Sequence, residues 1–398
     1  MIFVFYFFAA VLVLLSYKSF RGGIEYLRYF KHELAKPNSD FTPFASIIVP
    51  CRGLDDGLEQ NLAALFDQDY PNYEIIFVVD DKADAAVPTI EEVLRKAAKD
   101  AKLIVAMKAT DSSQKVENLR EAVLHVEGES RVFVFVDSDV RPGKEWLRNL
   151  VAPLQDEKVG AATGYRWFIS ENQRFASELR SVWNASIASA LGKNTRTNFC
   201  WGGSMALRRD TFERIDMREK WCGTLSDDFA VTRAIKAADM PICFVPRALT
   251  ASVEDCTIGG LFEFTTRQMK ITRVYAPKLW IMSFVGSGLF NSVVIAALLI
   301  VILSPQNDLA VMVSIATILL VAFFSIGKSW LRLKAVRLVL TEYDAQLRRQ
   351  AWTQNTLWLL SPALFFYNSF AAWLSRRMTW RGTTYELKSP TETVIITN

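Results

Sequence analysis

Histidine and cysteine are scarce. The 398 residues hold two histidines and five cysteines, Cys51, Cys200, Cys222, Cys243 and Cys256. No CxxC pair and no Cys/His metal spacing occurs, so a zinc site of that kind is excluded. In a domain facing the cytoplasm these thiols stay reduced. Glycine is missing where nucleotide-binding loops require it. No GxGxxG and no GxxxxGK[ST] follows a candidate strand, which removes the dinucleotide and P-loop readings. Any phosphate must then be held by side chains and a metal. Net charge is only +4, and the basic residues flank apolar stretches, which argues against nucleic acid as a partner.

Charge itself is absent from four stretches, residues 1–17, 279–307, 309–327 and roughly 350–375. Each is about long enough to cross a bilayer, which takes ~20 apolar residues. The first lacks a basic n-region and a small-residue cleavage site and reads as a retained anchor. Lysine and arginine follow it and recur over 328–349, placing both flanks, and the large domain between anchor and C-terminal block, on the cytoplasmic face. The link SPQND (304–308) has no basic residue, as an outer hairpin should. The last stretch contains Asn355, Ser361, Pro362, Tyr367 and Asn368, which suits a re-entrant or interfacial path and a cytoplasmic tail. The expected organisation is an anchor (1–20), a basic linker (21–44), a catalytic domain (45–256), an amphipathic interfacial helix (257–280) and a transmembrane hairpin (281–327). A basic helix (328–350), a membrane or re-entrant segment (351–375) and a tail (376–398) complete it.

From residue 44 onward strand and helix patterns alternate. Strands are expected over 44–50, 73–81, 101–107 and 131–139, and helices over 58–68, 85–100, 115–126 and 224–241. Such alternation predicts an α/β domain with a largely parallel sheet, whose ligands bind beyond the carboxyl ends of the strands. Acids collect at two of those ends, Asp80–Asp81 and Asp137-Ser-Asp139. Alternation along a strand points Asp137 and Asp139 the same way. They are turn acids that cap the next helix or ligands of a divalent cation, and the second acidic strand end favours the cation. Lys115 opens a helix, either facing solvent or reaching across to that site. Trp201, Gly202, Gly203 and Ser204 form a tight turn between strands or a loop whose backbone approaches a ligand. Asp227 and Asp228 follow Ser226 at another helix start. They are first-turn acids of an ordinary cap, or a pair whose repulsion raises one pKa, as suits a general base. Arg267, Lys270 and Arg273 share roughly one face of the interfacial helix, for lipid headgroups or for a leaving diphosphate.

The order of these motifs resembles membrane-bound family 2 glycosyltransferases with a GT-A fold, and more closely the ceramide glucosyltransferase branch with its bacterial lipid-glucosylating relatives. The resemblance rests on an acid after the second strand, Asp-x-Asp after the fourth, an Asp-Asp pair, a basic interfacial helix and the tail TWRGTTYEL, with Trp380, Arg381, Tyr385 and Leu387 in register. The Lys-Val-x-Asn-Leu stretch at Lys115 and Asn118 belongs to it too. One position departs. Where that branch carries Arg-x-x-Arg-Trp, this chain has Arg267, Gln268, Met269, Lys270 and Ile271, and lysine keeps the charge without the planar fork of arginine.

The resemblance implies an inverting, metal-dependent transfer of a hexose, glucose from UDP-glucose first among them, to the hydroxyl of a membrane lipid such as ceramide. It assigns Mg²⁺ or Mn²⁺ to Asp139 and Asp137, and the uridine base to Asp81. Lys115, Arg267, Lys270, Trp380 and Arg381 fall on the donor side, Trp201 to Ser204 on the acceptor side. Asp228 is the general base, with Asp227 as the neighbour that lifts its pKa. Two rivals remain at this stage. A processive polysaccharide synthase shares the catalytic domain but needs more spanning helices. A non-enzymatic membrane scaffold would make every acid a cap or a turn.

Overall fold

The computed structural model describes residues 2–97 and 100–397. By internal contacts it divides into two compact units, one of residues 1–31, 173–189 and 256–375, the other of residues 32–172, 190–255 and 376–398.

The second unit is the α/β domain that the alternation predicts. Seven strands, β1 (Ala45–Pro50), β2 (Tyr73–Val79), β3 (Ala101–Val105), β4 (Val132–Phe135), β5 (Ala161–Ile169), β6 (Met205–Arg208) and β7 (Ile242–Val253), form one sheet in the order β3-β2-β1-β4-β6-β5-β7. β6 alone runs antiparallel to its neighbours. Strands β1, β2 and β4 are buried along almost their whole length, as continuous Val, Ile and Phe runs require when helices cover both faces. Phe133 and Phe135 meet Phe212 and Trp221 in one aromatic cluster on the sheet. The helix expected over 85–100 is observed as Val87–Lys96, and residues 98–99 lie outside the described residues. Residues 376–397, expected as a tail, are part of this unit and fold as a small antiparallel sheet of β8 (Arg377–Trp380), β9 (Thr383–Ser389) and β10 (Glu392–Thr397).

Register explains what the sheet presents. Phe135 pairs with Met205, which pairs with Thr163, so these three residues mark one level across β4, β6 and β5. Asp137 and Asp139 follow β4 by two and four residues, and Arg166 lies three residues farther along β5. Three residues at ~3.3 Å carry Arg166 past the end of β4, to the level of the turn that holds the two acids. Gly164 lies at the register shift between β5 and β7, where an added Cβ would stand 2.0 Å from the Ala248 carbonyl. Only glycine lets the two strands approach so closely there.

The other unit is helical. Three helices, Ile2–Leu34, Pro277–Leu303 and Asp308–Arg337, are long and apolar enough to cross a membrane. The first runs on through part of the stretch read as a linker. Phe5, Ala9, Leu12, Val293, Ala297 and Val321 form its apolar core. The segments Thr341–Leu359 and Ser361–Leu374 pass the same test only as a pair, bent by 58° between them. Phe175–Ala188, which falls inside the range expected for the catalytic domain, belongs to this unit. Its Trp183 stacks on Phe365 at 5.0 Å, and its buried Glu178 accepts from Thr353 and Gln350. Pairs of this kind tie helices together because a buried polar group needs a hydrogen-bond partner.

Candidate active site

Every acid that the sequence singles out in the α/β unit lies at the carboxyl end of the sheet or at a helix start facing it. Asp137 and Asp139 leave β4 and meet two cations from elsewhere in the chain. Arg166 donates from Nη1 to Asp139 Oδ2 at 2.7 Å, and its Nη2 stands 3.4 Å from Asp137 Oδ2. Lys115 Nζ lies 2.7 Å from Asp137 Oδ1 and 3.0 Å from Asp227 Oδ1. Lys115 occupies the first turn of the helix Gln114–Ala122, capped by Ser113. A cation is unfavourable at that positive helix end, so its place is set by the two carboxylates it bridges.

Burial decides how these groups ionise. Asp227 is buried to 3% exposure, and its desolvation raises its pKa to about 6, against the opposing pull of Lys115 and with help from Asp228 and Asp137. Burial also pushes Asp139 up, but Arg166 more than offsets it and the carboxyl titrates below the ordinary range. Lys115 is held above the ordinary lysine value, because Asp137 and Asp227 together outweigh its burial. The raised pKa falls on Asp227, the residue expected to stand beside the base. Asp228 is half-buried. Its Oδ1 accepts from the Ser226 hydroxyl and from Phe229 N–H at 2.7 Å, and its Oδ2 accepts from Gly202 N–H at 3.3 Å.

The loop before β6 closes the far wall. Trp201 offers its ring to the Arg166 guanidinium at 4.7 Å, and Phe168 backs the same group at 5.2 Å. An added Cβ on Gly202 would stand 2.3 Å from Asp227 Oδ2 and 2.8 Å from Lys115 Nζ, so only glycine leaves that ion pair in place. Gly203 is similarly close under the Trp201 indole. Ser204 is fully buried. Its hydroxyl accepts from Trp146 Nε1 at 2.8 Å and donates to Ala248 O at 3.2 Å, which fixes the start of β6.

Two residues that the sequence reading missed complete the site. Arg166 is one. A lone basic residue inside the apolar run VGAATGYRWFI was the signal, since a buried cation demands a counter-charge. Asp55 is the other. It lies in the turn after β1, a third acidic strand end, and accepts from the Ser138 hydroxyl at 2.7 Å. It is also paired with Arg381, which stands with Gly382 at the tip of the β8–β9 hairpin. Both tip residues have positive φ, 49° and 82°, as a two-residue type I′ turn requires. The C-terminal hairpin thus delivers a guanidinium to the acidic strand ends.

The remaining expected residues are more dispersed. Asp80 is buried against Lys108 at 2.7 Å, while Asp81 is exposed, with Lys108 at 3.6 Å. The Ala83 amide, aided by Lys108, lowers the Asp81 pKa. Trp380 ends β8 beside the Arg381 tip. Arg267 and Lys270 lie on Ile258–Tyr275 of the helical unit, Arg267 3.7 Å from Glu263 and 5.6 Å over Phe264.

The donor chemistry can be tested against a divalent ion. Among the described residues no group of three or more His, Cys, Asp or Glu side chains is arranged to hold a metal. The site does gather the carboxylates of Asp55, Asp137, Asp139, Asp227 and Asp228 against the cations of Lys115, Arg166 and Arg381. Asp139 Oδ1 is buried without a hydrogen-bond partner. A negative excess and one unsatisfied hard oxygen fit Mg²⁺ or Mn²⁺ bound by one or two carboxylates and completed by phosphate oxygens.

Several proteins resemble the chain. A segment of 101 residues is 31% identical to ceramide glucosyltransferase 3 of Caenorhabditis elegans, covering 25% of this chain and 22% of that protein. Another of 78 residues is 31% identical to the ceramide glucosyltransferase of Komagataella phaffii, covering 20% and 15%. A longer match of 260 residues to ceramide glucosyltransferase 1 of C. elegans is 18% identical and covers 64% and 55%. The chain therefore spans less than two thirds of the length of each of these relatives. Among solved structures, a mannosyltransferase of Pyrobaculum calidifontis in complex with GDP-Man and Mn²⁺ matches at TM-score 0.43 and 18% identity, over 90% of this chain and 99% of that one. GalNAc-T7 with UDP, GalNAc and Mn²⁺ matches at TM-score 0.41 and 12% identity, over 55% and 44%. The mostly parallel sheet with flanking helices is the α/β architecture that the motif order implied. The family described as Glycosyl transferase family 21 matches residues 6–393, nearly end to end, and the chain belongs to it.

Proposed function

We propose that the protein is an inverting hexosyltransferase that moves glucose from UDP-glucose to the hydroxyl of a membrane lipid, ceramide being the leading acceptor. What supports this most is the convergence of two carboxylate pairs, Asp137–Asp139 and Asp227–Asp228, around Lys115 at one end of the sheet. Asp139 and Asp137 would hold the divalent ion, which neutralises the leaving diphosphate as a Lewis acid. Lys115 and Arg381 supply further positive charge to the donor, with Trp380 beside it, and Asp81 takes the uridine base. Asp228 is the general base. Its Oδ1 is committed to Ser226 and Phe229, and Oδ2 has only the long bond from Gly202, so the acceptor proton goes to Oδ2. One base without a second nucleophile means a single displacement, and an α-linked donor then yields a β-glycoside. The segment Trp201–Gly203 shapes the acceptor side.

The same reading orients the chain. If Pro277–Leu303 and Asp308–Arg337 each cross the bilayer, residues 341 and 276 lie on one side. The bent pair Thr341–Leu359 and Ser361–Leu374, broken by 58°, is read as re-entrant, which keeps the tail on the cytoplasmic side. The basic residues of 328–349 put that side in the cytoplasm.

The test is transfer from UDP-glucose by the full chain in detergent with Mn²⁺ and a mixed membrane-lipid extract, wild type beside Asp228→Asn. The expected result is a glycolipid from wild type, and a variant that binds UDP but turns over at least about a hundredfold more slowly, as loss of a general base implies. Absence of any Mn²⁺-dependent UDP binding by wild type would overturn the assignment.

A further inference from the structure

The proposed metal pair is already occupied by the chain's own cations. Of the four carboxylate oxygens of Asp137 and Asp139, Asp137 Oδ1 meets Lys115, Asp137 Oδ2 and Asp139 Oδ2 meet Arg166, and only Asp139 Oδ1 lacks a hydrogen-bond partner. A divalent ion cannot take both carboxylates while the guanidinium stands between them, because two cations would then share the same oxygens at contact distance. Arg166 also has aromatic partners where it stands. Its guanidinium lies over the Trp201 ring at 4.7 Å and the Phe168 ring at 5.2 Å, and aromatic faces hold a desolvated guanidinium favourably. It can give up Asp139 without becoming a stranded charge.

We propose that Arg166 is a positioning residue that competes with the divalent cation for Asp137 and Asp139, and so couples metal binding to donor binding. This rests on the reading above that the pair takes a metal–nucleotide complex. In the free protein the guanidinium neutralises the pair and weakens binding of the bare ion. The nucleoside diphosphate brings oxygen ligands for the ion and negative charge for the guanidinium, and only then does the ion displace Arg166 from Asp139. Bare Mn²⁺ or Mg²⁺ therefore binds poorly, and metal and diphosphate bind each other's complexes with strong positive coupling. Planarity matters in this device, since a guanidinium can span both carboxylates whereas an ammonium holds one at a time.

The experiment is a Mn²⁺ titration of the full chain in detergent, with free Mn²⁺ read by electron paramagnetic resonance, with and without UDP, for wild type, Arg166→Gln and Arg166→Lys. Wild type is expected to bind Mn²⁺ at least about tenfold more tightly with UDP than without. Arg166→Gln should bind Mn²⁺ alone about tenfold more tightly than wild type and lose most of the UDP dependence. Arg166→Lys should fall between the two. A merely structural role predicts the opposite sign, because a disturbed site binds metal more weakly. If Arg166→Gln does not fold, an Arg166→Lys protein with wild-type affinity for Mn²⁺ alone overturns the proposal. So does an Arg166→Gln protein whose Mn²⁺ affinity without UDP is unchanged or weaker while wild type shows the coupling. If wild type binds Mn²⁺ neither alone nor with UDP, the metal assignment fails first and the competition with it.

Discussion

Replacing Asp227 by asparagine should stabilise the protein while abolishing its activity, with a size that follows from the site. Asp227 titrates near 6 in the folded chain, against 3.8 for an ordinary aspartate, chiefly because it is desolvated. An acid with a raised folded pKa binds more protons in the native than in the unfolded state between those values. Stability is then highest below pH 4 and falls as pH rises towards 6. At about 1.4 kcal/mol per pH unit, ionising this one group costs the fold about 3 kcal/mol at pH 7–8. Asparagine keeps the shape and an acceptor for Lys115, and removes the charge. Lys115 retains Asp137 as its counter-ion at 2.7 Å. The variant should gain close to that full amount at pH 8 and less than about 1 kcal/mol at pH 4. For an α/β unit of this size, where 1 kcal/mol moves the midpoint by roughly 2–4 °C, the gain corresponds to an increase of roughly 6–12 °C at pH 8. Eleven tryptophans make intrinsic fluorescence a direct readout of thermal unfolding. Groups that titrate equally in both proteins cancel in the difference between their pH profiles. A variant less stable than wild type at pH 8, or a gain that does not shrink on acidification, would refute the reasoning.

Two further predictions concern the walls of the site. Gly202→Ala should separate Lys115 from Asp227, because the new methyl falls within 2.8 Å of both side chains. We expect a loss of about 1–3 kcal/mol, typical of overpacking, together with near-complete loss of UDP-glucose turnover. Gly128→Ala, where nothing lies within 4 Å of an added Cβ, is the control and should change neither. Arg381→Gln should weaken UDP binding by about tenfold or more, the magnitude of a lost hydrogen bond to a charged group. Isothermal titration checks it, and unchanged UDP affinity with a lowered unfolding temperature would leave Arg381 as a latch for the C-terminal hairpin through Asp55.

Much of this site was readable before any fold was known. The Val- and Phe-rich strands are short, apolar and regularly interrupted by helix patterns, so the parallel sheet and its acidic carboxyl ends are local properties of the chain. Asp137 and Asp139 were identifiable because both the spacing and the strand end are contiguous in sequence. Ser204 looked like a loop residue beside two glycines and is instead sealed between Trp146 and Ala248, since burial depends on what folds over it. Phe175–Ala188 looked like part of the catalytic domain, yet its contacts are to helices more than seventy residues away.

What the amino-acid sequence determined by itself was what short-range physics controls. Hydrophobic runs set which segments can cross a bilayer, alternation set the α/β class, and charge placement set the candidate acids and the family resemblance. What only the tertiary structure decided was pairing between distant segments. Arg166 reaches Asp137 and Asp139 because three strands align their levels through β6. Lys115 bridges acids from two other segments, and Arg381 meets Asp55 across more than three hundred residues of chain. Burial among these distant segments also raises the Asp227 pKa. Desolvation and Coulomb terms act through space, so no window along the sequence contains them.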